Sequence, residues 1–221
     1  LIMWTIVRKD LAIELRTGEM ASSMFLLALL IIIVFAFTLE PERLAAPEFL
    51  AGLSWTTLLV AGTLALNRSF VLEREAGGLT GLSLAPIDRG SIYLAKALGN
   101  FLLLLIAGIV LLPLIAILLG TRGLSPTPLL PLVIVLGVAG IAIIGTLCAA
   151  IASRTRAREV LLPILMFPLL APLLIAATRT TAGALIGEGA GDLQSWLLML
   201  GGFDIVFATA GWLSFDFLLE E

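Results

Sequence analysis

Two carboxylates, Asp204 and Asp216, are the only charged residues in any run of this 221-residue chain long enough to cross a bilayer. At mid-depth such a group costs roughly 2.5–3.5 kcal/mol on insertion and would mark a gate or a proton site. At the outer interface it is hydrated, which requires only that the last span begin near Gly201. Both readings of Asp204, as an intramembrane polar site or as an interfacial residue, stand open on sequence. The rest of the inventory excludes more than it offers. The chain has no histidine, which removes histidine-ligated zinc or haem, a histidine proton relay and any Ser-His-Asp triad. Its one cysteine, Cys148, lies in an apolar run, so no intrachain disulfide can form and a packing role is expected. No GxxxxGK[ST] phosphate loop is present, so ATP has no ordinary site here. No catalytic residue, metal site or directly bound cofactor is expected, and the chain is not expected to be an enzyme.

The other stretch able to do work lies between two apolar runs, LNRSFVLEREAGGLTGLSLAPIDRGSIYLAK, Leu66 to Lys96. It is too long for a tight turn and too rich in leucine for a solvated linker. Helix formers run to Ala76 and Gly77-Gly78 breaks them. Leu79 and Leu82 fall on one side of a second short helix, which Pro86 ends. An amphipathic pair of this kind suits a groove on a partner protein. It equally suits the surface of a lipid leaflet, and spacing alone does not choose.

The elements that must position these residues are apolar helices. Hydrophobic residues make up 60% of the chain and charged ones 13%, against roughly 45–50% and about 25% in a soluble domain. A hydrocarbon core needs about 20 helical residues. Runs over residues 20–39, 49–66, 97–119, 129–152 and 160–178 meet that length without a charge, and 193–219 makes a sixth that holds the two aspartates. Its first part, Leu193 to Leu200, can also be read as a separate short element. Residues 1–221 thus read as a single transmembrane domain.

Pro163, Pro168 and Pro172 are expected to kink or interrupt the fifth span. Ahead of the first span, about residues 2–18 read as an interfacial helix with Trp4, Val7, Leu11 and Leu15 along one face and Lys9 and Arg16 roughly opposite. Glu14 intrudes on the apolar face. A charged extension of the first span is the other reading. The chain opens on Leu1, so a few residues are expected to precede it, and the charged start followed by a full-length apolar run gives no sign of a cleavable signal.

Ten of the 13 lysines and arginines lie in the N-terminal segment (Arg8, Lys9, Arg16) and in the connections after the second span (Arg68, Arg74, Arg89, Lys96) and the fourth (Arg154, Arg156, Arg158). Only Arg43, Arg122 and Arg179 fall on the other side. By the positive-inside rule both termini are cytoplasmic.

Glu73-Arg74-Glu75-x-Gly77-Gly78-Leu79, then Leu82, Ala85-Pro86 and Ala95-Lys96 leading into a span, resembles the permeases of ABC-2-type transporters. With the N-terminal RKDLAIELRTGE, the Leu39-Glu40-Pro41-Glu42 corner, Asn67-Arg68 and the proline-studded fifth span, essentially the whole chain resembles the CcmB family, haem exporter protein B of cytochrome c maturation. That resemblance implies an all-α membrane protein of six transmembrane helices, with a cytoplasmic coupling helix between spans two and three, over about residues 67–96. It implies a bacterial plasma-membrane location and a separate CcmA-like ATPase subunit that uses the ATP and docks around Arg74, Glu75, Gly77, Gly78, Leu79, Leu82 and Pro86. CcmC-like, CcmD-like and CcmE-like haem-handling proteins and a second copy of the chain are the further implied partners, besides membrane lipid. Haem is the implied cargo of the complex, and nucleic acid is not an expected partner. With no histidine, release of a loaded haem chaperone fits better than conduction of haem through this chain. Two other functions stay open: an ABC-2 permease for another amphipathic substrate such as a lipid-linked sugar or drug, and an ATP-independent secondary transporter or channel. The last would need polar groups facing one another at mid-membrane.

Overall fold

The computed structural model describes residues 2–75, 89–119, 124–153, 155 and 157–218. Its elements are α1 (Ile2–Thr17), α2 (Glu19–Thr38), a single turn α3 (Pro41–Leu44), α4 (Pro47–Glu75), α5 (Arg89–Leu119), α6 (Leu130–Ala152), α7 (Arg158–Leu185) and α8 (Ala190–Leu218). There is no strand among the described residues. Six helices (α2 and α4 to α8) are long and apolar enough to cross a membrane, and the chain is an all-α, multi-pass membrane protein.

α6 is the hub, packing against α4, α5, α7 and α8. Between helices in lipid, burial of apolar surface supplies little drive, because the tails are as apolar as leucine; close approach through small residues takes over. Gly137, Gly140 and Gly145 supply that approach. A Cβ on Gly137 would meet the indole of Trp55 from α4, and one on Gly145 would meet Leu66 a few turns along the same helix. Polar groups in the interior are tied across helices. Trp55 Nε1 donates to Thr181 Oγ1 of α7 at 2.9 Å, Tyr93 Oη of α5 to the Ile143 carbonyl at 2.9 Å, and Asn100 Nδ2 to Thr146 Oγ1 at 2.9 Å. α2, by contrast, is peripheral: it buries one ridge at four-residue spacing (Met20, Met24, Ala28, Ile32) and leaves Leu26, Leu30 and Phe37 outward.

Several helices depart from the expected pattern. α7 continues as helix through Pro163, Pro168 and Pro172, so the prolines do not interrupt it, and it runs past Arg179 to Leu185. A long, flexible side chain such as Arg179, exposed here, can extend towards water from within a span. α8 is one unbroken helix of 29 residues, so Leu193 to Leu200 is no separate element.

α1 is rotated from the expected face. Ile6 and Val7 are buried against Ala95 of α5, with Leu11, Leu98 and Leu102 beside them, while Trp4 and Leu15 point away from the bundle. Glu14, which looked misplaced among apolar neighbours, is buried; its Oε1 accepts from the Ala21 amide at 2.7 Å, while its Oε2 has no partner among the described residues. It caps one of the orphan donors at the start of α2. Gly18 makes this possible: at φ +61° it turns the chain sharply between α1 and α2, a conformation a side chain resists.

Candidate coupling site

The segment between α4 and α5 is anchored by its two flanks. On the near flank, Arg68 of α4 pairs with Glu19, the first residue of α2. On the far flank, Lys96 of α5 is only 3% exposed, and its Nζ donates to Asp10 Oδ2 of α1 at 2.8 Å. Lys9 Nζ lies 3.4 Å from the other oxygen of Asp10. A charge-assisted bond in a water-poor setting is short, directional and strong. Exposed pairs such as Arg68–Glu19 hold more weakly. The N-terminal helix and its elbow into α2 are therefore fastened to both helices that enter and leave this connection.

The opening turns of α5 gather more than α1. Tyr93 is fully buried; besides its bond to the Ile143 carbonyl, its ring lies 5.5 Å from that of Phe215 and packs where a Cβ on Gly211 of α8 would sit. Gly90 takes the indole of Trp212 in the same way. Within seven residues, Gly90 to Lys96, α5 thus touches α1, α6 and α8.

Of the residues expected to couple to an ATPase, Arg74 and Glu75 lie in the last turn of α4. Gly77, Gly78, Leu79, Leu82 and Pro86 lie outside the described residues, as do Arg122, Arg154 and Arg156. Sequence reasoning passed over Asp10 and Glu19 and saw Glu14 only as an intrusion on an apolar face. A signal existed: Arg68 and Lys96 bracket the connection, and cations at a membrane boundary call for nearby acidic partners.

Asp204 stands near the middle of α8, 9% exposed, with both oxygens sealed and no hydrogen-bond partner among the described residues. It packs on Gly140, near the middle of α6, where an added Cβ would lie 2.7 Å from its Oδ1 and also meet Leu173 of α7. No described residue faces it with a hydrogen bond, and Asn100 is engaged with Thr146. Cys148 is buried. Among the described residues no group of three or more Cys, Asp or Glu assembles into a metal-binding cluster.

Comparison with known proteins adds to this geometry. The family model described as "CcmB protein" matches residues 1–217. The chain is similar to heme exporter protein B of Rhodobacter capsulatus, 29% identical over 174 residues, covering 78% of this chain and 79% of the relative. It is 28% identical to heme exporter protein B of Pseudomonas aeruginosa over 185 residues, 84% of this chain and 82% of that protein. With the Escherichia coli K12 protein of the same name it shares 30% identity over 103 residues, 46% of each chain.

Proposed function

The chain belongs to the CcmB family, and on that premise we propose that it is the membrane subunit of a haem-export complex in c-type cytochrome biogenesis. It converts ATP hydrolysis in a separate, CcmA-like subunit into movement of membrane helices. The relatives' names support the haem assignment, since they are heme exporter proteins B. Haem is the cargo of the complex, which includes CcmC-like, CcmD-like and CcmE-like partners, and not a resident cofactor of this chain. The absence of histidine favours a subunit that drives release of a haem-loaded chaperone over one that ligates haem in transit. The protein sits in the bacterial inner membrane with both termini cytoplasmic, on the distribution of its lysines and arginines.

The observation that carries the coupling is the anchorage of the α4–α5 connection. A force applied between residues 76 and 88 reaches α4 and α5 directly. The Arg68–Glu19 and Lys96–Asp10 pairs pass it to α1 and α2, and the Tyr93 contacts pass it to α6 and α8. Rigid helices joined at such points move between discrete arrangements.

The test is co-purification of the ATPase subunit with Leu79→Asp/Leu82→Asp. Each leucine fully buried at an interface is worth roughly 1.5–3 kcal/mol, so losing both weakens docking by about two powers of ten or more. Insertion of the variant is checked in parallel. An ATPase that stays bound with unchanged affinity sinks this docking site and moves attention to Arg154, Arg156 and Arg158.

A further inference from the structure

At the end of the bundle opposite the α4–α5 connection, a cavity of about 540 Å³ lies among α4, α5, α6 and α7. Its size falls within the roughly 300–1,000 Å³ typical of sites for small ligands. The first turns of α4 contribute Leu50 and Ser54, the last third of α5 Ile109 and Pro113, the start of α6 Ile134 and the end of α7 Thr181. Among the described residues, none that lines it is charged. Its two hydroxyls are already engaged: Ser54 Oγ donates to the Leu50 carbonyl at 2.6 Å, and Thr181 Oγ1 accepts from Trp55. The mouth opens sideways between α5 and α6, where Ile109 is 58% exposed and Val135 40%.

We infer that this cavity holds one acyl chain of a membrane phospholipid, with the head group left at the adjacent membrane surface. The wall chemistry chooses the occupant. A ligand that needed hydrogen bonds or a counter-charge would lose them on entry, at a cost a hydrocarbon chain does not bear. A porphyrin fares badly on the same ground: among the described residues the lining offers no histidine, cysteine, methionine or tyrosine to an iron and no cation to a propionate. The sideways mouth meets the tails of the leaflet, so a chain enters without crossing water. The inference goes beyond the haem-export reading and needs only that the helices span a bilayer; which leaflet supplies the lipid follows from the orientation given above.

The test places the full chain in nanodiscs holding phosphatidylethanolamine with a diazirine midway along one acyl chain, then maps the photo-adducts by peptide mass spectrometry. Adducts are expected to concentrate on Ile109, Leu112, Ile134 and Val135 over Phe37 and Ile205, which are exposed and do not line this cavity. Val135→Trp narrows the mouth, and Ala116→Phe fills the interior. Each is expected to lower the cavity adducts several-fold while leaving those at Phe37 unchanged, and the mouth variant serves if the interior one folds poorly. Labelling spread evenly over all outward residues, adducts indifferent to both variants, or displacement of the label by added haem would each overturn the inference. Nanodiscs present lipid on both faces, so the result does not depend on orientation or on ATPase docking, and failure of either leaves it readable.

Discussion

The two ends of the bundle are held together by different chemistry. Where the α4–α5 connection enters and leaves, helices are joined by charge: Arg68 to Glu19, Lys96 to Asp10, and Glu14 capping α2. At the opposite end the joints are backbone hydrogen bonds, Ser125 N to Leu185 O at 2.9 Å and Thr127 N to Ala184 O at 2.8 Å, beside an apolar cavity. Ion pairs in a poorly hydrated place have one good geometry and resist sliding. The contrast is between an end joined by ion pairs and an end joined by backbone hydrogen bonds beside an apolar cavity.

The largest expected effect tests whether these ends face opposite compartments. Single cysteines at Thr155 and Ala190 are both exposed positions, and native Cys148 is buried, so background is low. In intact cells an impermeant thiol reagent should modify Ala190→Cys and spare Thr155→Cys. The reverse pattern breaks the orientation.

The packing of the middle, between the two ends, is tested at the glycine seam. Gly137→Leu drives side-chain atoms into Trp55 and should lower stability by about 3 kcal/mol, the upper end of ordinary overpacking. Gly202→Leu, with open space around it, should be near neutral. Equal melting temperatures in the same detergent would show that the seam gives way.

At the charged end, Asp10→Ala takes a carboxylate from Lys96 and should cost about 1.5–3 kcal/mol, as for hydrogen bonds to charged groups. Ser54→Ala at the other end removes a bond within one helix and should change stability by less than about 0.5 kcal/mol. Unfolding measurements that ranked these two the other way would erase the comparison.

The Arg68–Glu19 pair is about half exposed, so a double-mutant cycle with Glu19→Ala and Arg68→Ala should return only about 0.2–1 kcal/mol. The coupling should shrink as salt is raised. A value that is large and indifferent to salt would mean the pair is sealed from water.

The expected effect of Asp204→Asn on the fold is also small, within about 1 kcal/mol, since the shape is kept and no partner among the described residues is lost. If thermal stability holds while haem delivery fails, Asp204 works in the transport cycle. A drop of about 3 kcal/mol would reveal a partner for the carboxylate.

Much of the architecture was legible in the residues. The bilayer is a uniform apolar solvent, so an uncharged run of sufficient length declares a span wherever it falls, and the family motifs lie in order along the chain. The candidate site was half legible. Leu79 and Leu82 stood out by spacing and Arg74 and Glu75 by the family resemblance, whereas Asp10 and Glu19 read as ordinary charges of a helix near the membrane surface and Glu14 as an intrusion on its apolar face. Their roles depend on which helix passes beside them, and hydropathy carries no such information.

The amino-acid sequence by itself determined that this is a multi-pass helical membrane protein with no histidine chemistry and no phosphate loop, because length, polarity and residue type act without reference to neighbours. Tertiary structure decided the rest. It turned Trp4 and Leu15 of α1 outward, made Glu14 a cap, carried α7 as helix through three prolines and set Asp204, near the middle of α8, against Gly140. The Glu14 cap and the Asp204–Gly140 packing are contacts between helices, and in lipid such contacts are selected by shape and hydrogen-bond geometry, which a linear pattern of apolar residues does not encode.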